Sequence, residues 1–341
     1  MRKEQGWLHK PDSHNLGGPC IVAMVNAAQL TSHLNCKVKY YGAFGNDDTA
    51  KIVIDVLKKT PIDISNLRLY DNRESSCAFC LSDPNYANGA GERCFIVDTG
   101  VLGTLSSDMI ISEDFFKGDI LFFGATALMP LLHQELTSLL CKGKQKGKIN
   151  VVATVYDQVN ETKHPHKRWP MGKSDDSFKY MDLLMVDMDE ALGISGKTNV
   201  KDAIDFFVEK GVKAFTITHG SNNGYAWSDG TLFKKMDLHT FPICQKIVDD
   251  ITANPSKRGD TTGCGDNFSG AILAYIAESL EKGKTPGELD LREAISWGVA
   301  AGGFACFSVG GTYLEKEKGE KRRLIEYYRR HYISQMKSSK L

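Results

Sequence analysis

The chain has 341 residues, 42% hydrophobic and 25% charged, ample for a large buried core in one large domain or two smaller ones. Lys+Arg and Asp+Glu balance at 42 each, so no overall field favours nucleic acid or an anionic membrane as partner. The longest apolar runs, such as Ile120 to Leu132, fall short of the roughly 20 residues a spanning helix needs, and Met1 to Lys10 lack a secretory signal. A cytoplasmic protein is therefore expected.

In chain order, Ile21 to Leu34 reads as a helix and Lys37 to Phe44 as a strand running into Gly45-Asn46-Asp47-Asp48. Thr49 to Lys59 is again helical, and Pro61 breaks it. Cys77 to Ser82 and Arg93 to Asp98 read as a hairpin joined by the Gly-rich turn Asp83 to Glu92. Ile120 to Phe123, Val151 to Val155, Leu183 to Val186 and Ala214 to Thr218 are short apolar runs of the kind buried in parallel sheets. Val200 to Lys210 and Phe268 to Leu280 read as helices. This alternation predicts an α/β fold, a three-layer parallel-sheet core covered on both faces. The early hairpin is a candidate β lid, built mainly from residues 68–100. One domain over residues 15–330 is expected, with a solvated basic helix near the C-terminus and a polar tail from 331 to 341. Cys77 and Cys80 form one C-x-x-C among nine cysteines. With no second pair and no secretory signal, reduced thiols are expected rather than zinc or disulfides.

The most informative stretch is Gly259-Asp260-Thr261-Thr262-Gly263-Cys264-Gly265-Asp266-Asn267-Phe268. Its glycines lead into a helix, whose first N–H groups and positive dipole end suit a phosphate or a developing oxyanion. A carboxylate there is poorly suited to hold phosphate, so Asp266 is read as a general base beside an anion site. A tight turn with an Asp cap is the competing reading of the loop taken alone. Gly17-Gly18 stand just before a helix, where glycine permits close approach to the backbone. Gly42 to Asp48 and Thr218 to Gly224 both follow strands, and so lie where ligands bind in parallel sheets.

The order Gly17-Gly18, Gly42 to Asp48, Gly91-Glu92-Arg93, Asp182 to Ala191, Thr218-His219-Gly220 and Asp260 to Asp266 resembles the ribokinase-like (PfkB) carbohydrate kinase family. Asp-Thr-Thr-Gly-Cys-Gly-Asp-Asn-Phe is the most specific part. The resemblance implies ATP-dependent phosphorylation of a sugar hydroxyl, with Asp266 as base and backbone amides of Gly263, Cys264 and Gly265 as anion hole. It implies ATP contacts at Thr218, Gly220 and Asn222, and substrate contacts at Gly17, Gly18 and Asp266. It further implies Mg²⁺ held indirectly near Glu190 and Asp187, and a K⁺ seat at Asp260 and Thr262.

The chain departs from that pattern in three places. The usual Asn-x-x-Glu reads Asp187-Met188-Asp189-Glu190, which adds a negative charge beside the metal. Val22 stands where the family carries a substrate-binding Asn, and Val has no side-chain hydrogen-bonding group. The family's apolar first strand, ending in a substrate-binding aspartate, has no counterpart in Met1 to Asn15, and Asp12 stands too close to Gly17 to replace it. Loss of a central strand is expected to expose neighbouring edges. Arg93, on the lid, is a candidate contact for an acidic substrate group, with a plain surface arginine as the simpler reading. A homodimer through the lid is a further expectation. The alternative functions are a nucleoside kinase and a non-catalytic nucleotide- or sugar-binding regulatory protein.

Overall fold

A computed structural model describes residues 13–83 and 92–338, without the side chains of Ser82, Glu92 and Arg93. The expectations concerning Met1 to Asp12, the hairpin turn with Gly91, and the reach of Arg93 lie outside the described residues.

Ten strands occur among the described residues: β1 Lys39–Gly45, β2 Asp63–Tyr70, β3 Cys77–Asp83, β4 Glu92–Asp98, β5 Ile120–Gly124, β6 Ile149–Ala153, β7 Leu183–Asp187, β8 Ala214–Thr218, β9 Gly224–Ser228 and β10 Met236–Phe241. The longer helices are α1 Pro19–Leu30, α2 Asp48–Leu57, α3 Pro130–Gln145, α4 Met188–Ser195, α5 Val200–Glu209, α6 Gln245–Ala253, α7 Cys264–Glu281, α8 Leu291–Ala305 and α9 Glu320–Ser338.

The main sheet runs in the order β10-β9-β8-β7-β6-β5. β5 to β8 are parallel, and β9 and β10 add antiparallel strands at one edge. Consecutive side chains of a strand point to opposite faces, and both faces here are apolar. Val152, Leu184 and Val186 join the cluster under α3 and α5. Val151, Leu183 and Met185 join the cluster under α7 and α8. The sheet is therefore buried on both sides, which is the three-layer arrangement the continuous apolar runs predict.

β3 and β4 form the expected antiparallel hairpin, in register from Cys77↔Asp98 to Asp83↔Glu92. β1 and β2 pair in parallel as a separate two-stranded sheet. Among the described residues β5 has one strand partner, β6, and β1 has one, β2. Aromatic rings bridge the two sheets. Tyr41 of β1 packs edge-on to Phe115 at 5.1 Å, and Phe115 packs on Phe123 of β5 at 5.5 Å.

The basic C-terminal helix is less solvated than its composition predicts. α9 continues past residue 330, where a polar tail is expected, through Ser338. Ile325, Tyr328 and Tyr332 recur at helical spacing and pack against the core, with Ile325 and Tyr332 fully buried.

Candidate active site

The candidate site lies where the parallel strands end and α7 begins. Gly263 caps α7 in the left-handed region at φ 77°. A β-carbon on it would stand 2.5 Å from the Gly311 Cα, so both the backbone angle and the contact require glycine. Gly265, two residues further in, has open space where a β-carbon would point. The first helical N–H groups have no partner within the helix, and of these the Cys264 N–H turns back to the Thr261 carbonyl at 3.3 Å.

Asp266 is the third residue of α7. Burial pushes its carboxyl up to about 7. Desolvation thus outweighs the favourable field of the helix N-terminus.

The loop is held from three sides. Asp260 Oδ1 accepts from the Thr262 N–H at 2.8 Å and the Gly310 N–H at 3.3 Å. The Gly259 N–H donates to the Cys306 carbonyl at 2.8 Å, and the Asp260 N–H to Ser308 at 3.1 Å. The same 306–312 segment binds the two residues just before the N-terminal glycines. Asn15 Nδ2 donates to the Val309 carbonyl at 2.7 Å, and Thr312 Oγ1 donates to the Leu16 carbonyl at 2.8 Å. Gly17 and Gly18, the latter at φ 92° as the cap of α1, are thereby tethered beside the anion loop. Val22 does not face an open site. It is buried, with its methyl groups where a Gly311 β-carbon would fall.

Asn267, a motif residue to which sequence assigns no role, and Lys321 hold the loop from behind. Asn267 is buried, and its Nδ2 donates to the carbonyls of Gly263 and Gly311, both at 2.8 Å. Its Oδ1 accepts from Lys321 Nζ at 2.9 Å, and its backbone carbonyl accepts from Asn26 Nδ2 at 2.6 Å. Lys321 is 1% exposed. Burial lowers its ammonium to about 7, with Glu315 pulling the other way. One residue, through its side-chain amide and its backbone carbonyl, thus ties α1, α9 and the 311 segment to the Gly263 loop. A doubled glycine at Gly310-Gly311 is the one sequence signal for this segment. Lys321 is masked by the basic stretch around it.

Asp187 and Glu190 form a reciprocal cap at the start of α4. Asp187 Oδ1 accepts from the Glu190 N–H at 2.8 Å, and Glu190 Oε2 accepts from the Asp187 N–H at 3.0 Å. Thr154 Oγ1 also donates to Glu190 Oε2. Burial first, then the Asp187 carboxylate, pushes Glu190 up to about 8, and Asp266 adds to that rise. Asp187 is raised chiefly by burial, with His219 opposing. Asp266, Glu190, Asp187 and His219 therefore share one electrostatic neighbourhood. Thr218 ends β8 opposite Asp187, and the Asn222 N–H closes the following turn on the His219 carbonyl at 2.8 Å. Gly220, at φ 54°, has open space around it.

No group of three or more His, Cys, Asp or Glu able to hold a metal occurs among the described residues. Mg²⁺ commonly takes one or two carboxylates and fills its sphere with substrate phosphates and water. Glu190 and Asp187 fit that arrangement. For a monovalent cation, Thr262 Oγ1 is buried with no hydrogen-bond partner and stands beside Asp260.

A Gly-rich loop and the half-buried Asp266 carboxyl thus stand together at the start of α7, beside the strand ends of an α/β sheet. The pfkB family carbohydrate kinase model matches residues 12–318, and the chain belongs to that family, whose members are phosphotransferases with an alcohol group as acceptor. It is similar to Fructokinase-2 of Oryza sativa subsp. japonica, 23% identical over 303 residues, covering 84% of this chain and 79% of the relative. Among solved structures it is similar to an E. coli protein described as a ribokinase II in complex with ATP and Mg²⁺. The TM-score there is 0.68 at 17% identity, over 94% of each chain. A fructokinase from Vibrio cholerae O395, bound to fructose, ADP and calcium, gives a TM-score of 0.67 at 16% identity, over 93% of this chain and 94% of that one. No helix among the described residues is long and apolar enough to cross a membrane.

Proposed function

We propose that this carbohydrate kinase transfers the γ-phosphate of ATP to a hydroxyl of a sugar or sugar-like alcohol in the cytoplasm, with Asp266 as general base. The observation that carries this is a half-buried carboxyl, raised by desolvation, in the same helical turn as a Gly-rich helix-capping loop. A plain anion binder gains nothing from a carboxylate there, whereas proton abstraction from an attacking hydroxyl needs one. A carboxyl raised to about 7 is also matched to proton transfer near neutral pH.

The N–H groups of Gly263, Cys264 and Gly265 hold the charge that develops on the transferred phosphoryl group. Mg²⁺, when bound, neutralises phosphate charge, and Glu190 and Asp187 are the residues that would hold it. Asp260 and Thr262 would seat K⁺, with the buried Thr262 hydroxyl as the supporting observation. Thr218, Gly220 and Asn222 form the nucleotide side, and Gly17 and Gly18 the sugar side. The β3–β4 hairpin acts as lid, and its exposed Leu81, Ile96 and Val97 provide a surface for a homodimer.

The fructokinase relatives favour a sugar over a nucleoside. The test is ADP release on a panel of hexoses, pentoses and nucleosides, with the phosphorylated product identified by mass. Transfer to a free sugar is expected. Transfer to nucleosides alone would redirect the substrate assignment, and ATP binding without transfer to any alcohol would overturn the kinase chemistry.

A further inference from the structure

Cys264 opens α7 inside the anion loop, and Cys306 lies just beyond the end of α8, 42 residues later. Their Sγ atoms are 3.5 Å apart. The fold builds this proximity. A β-carbon on Gly302 would stand 2.9 Å from the Cys264 carbonyl oxygen, so glycine at that turn of α8 lets the first turn of α7 settle against it. The hydrogen bond from the Gly259 N–H to the Cys306 carbonyl then fixes the second sulfur opposite the loop.

We propose that Cys264 and Cys306 form a reversible disulfide that switches the anion loop off under oxidation. A hydroperoxide oxidises one thiol to a sulfenic acid and is itself reduced, leaving as water or an alcohol. The second thiol attacks that sulfur, a sulfur–sulfur bond forms, and the hydroxyl leaves with the thiol proton as water. A dithiol reverses the bond by exchange.

Closing the pair brings the sulfurs from 3.5 Å to about 2.05 Å. The displacement falls on the Cys264 peptide, because Gly263 is already packed on Gly311. The two peptide units flanking the Cys264 Cα supply two of the proposed donors, and Asp266 follows two residues later. A shift of about 1 Å in catalytic geometry can lower turnover about 100-fold. The loss of turnover rests on the function proposed above, whereas the disulfide itself does not.

Other thiols differ in accessibility. Cys20 is held by burial at a thiol value of about 12, and Cys244 is buried and raised likewise. Cys80 and Cys94 are exposed on the hairpin and will also react with peroxide, so the assay must resolve individual cysteines. Trypsin releases Gly259–Lys282 and Glu293–Lys316, each with one cysteine.

The test treats the full chain with hydrogen peroxide, then maps non-reduced peptides by mass and measures kcat before and after dithiothreitol. The expected result is a linked pair of these two peptides, a fall in kcat of at least about tenfold, and recovery with dithiothreitol. Cys306→Ser should keep its basal turnover and resist peroxide. Inactivation with both peptides unlinked, full linkage with unchanged kcat, or equal sensitivity of Cys306→Ser would each overturn the switch. A reduced protein that binds ATP but transfers no phosphate would refute the kinase chemistry instead, and the peptide map would then decide the disulfide on its own.

Discussion

Lys321→Met replaces a buried ammonium by an apolar chain of similar length. Two opposing effects follow. Lys321 is lowered from 10.5 to about 7, which corresponds to about 5 kcal/mol of buried-charge cost at about 1.4 kcal/mol per pH unit. That cost is present in full below about pH 7 and disappears as pH rises toward 10.5, because there the unfolded chain binds the proton that the folded one has released. Methionine removes it. Methionine also leaves Asn267 Oδ1 without its donor, at about 1–3 kcal/mol at any pH. The variant should therefore be more stable than wild type at pH 6, by about 2–4 kcal/mol. It should become less stable above about pH 9, where the two effects cross. Urea unfolding at pH 6, 7.5, 9 and 10 measures this directly. A variant less stable by the same amount at every pH would refute the reasoning, because it would show that Lys321 carries no desolvated charge.

Four further outcomes follow from the same geometry. Gly263→Ala should lose both stability and turnover, through positive φ and the contact with Gly311. Gly265→Ala, with open space at its β-carbon, should hold its urea midpoint within about 0.5 kcal/mol yet lower kcat/KM; equal stability losses would argue against an open anion loop. Glu190→Gln keeps an acceptor for the α4 cap but loses the carboxylate, so the Mg²⁺ concentration for half-maximal rate should rise about tenfold or more; an unchanged Mg²⁺ titration would remove Glu190 from the metal site. Thr262→Val should abolish stimulation by KCl relative to choline chloride, and stimulation that survives would place the cation elsewhere.

Where one segment carries its own signal, the sequence was legible. β5 to β8 are continuous apolar runs because both faces of the sheet are covered, and the β3–β4 hairpin is two short apolar runs, Cys77 to Leu81 and Cys94 to Val97, on either side of a Gly-rich stretch. β2 was missed because Asp63–Tyr70 mixes polar and apolar residues on a half-buried two-stranded sheet. α3 was missed because Pro130–Gln145 carries a basic second half that reads as loop. The proposed base and anion loop are suggested by sequence because Gly263 to Asp266 are contiguous. What holds them could not be read, since Asn267 meets Lys321 across 54 residues and Asn15 meets Val309 across 294. Val22 illustrates the opposite case. A missing side-chain hydrogen bond reads as a lost sugar contact, yet the residue fills a packed contact with Gly311.

The central claim is that the Asp266 carboxyl removes a proton during phosphoryl transfer. Single-turnover kinetics of Asp266→Asn, with ATP and the best alcohol from the panel, test it most directly. The account predicts a folded protein that still binds ATP and whose transfer rate falls by about 100-fold or more. Transfer at close to the wild-type rate would contradict it.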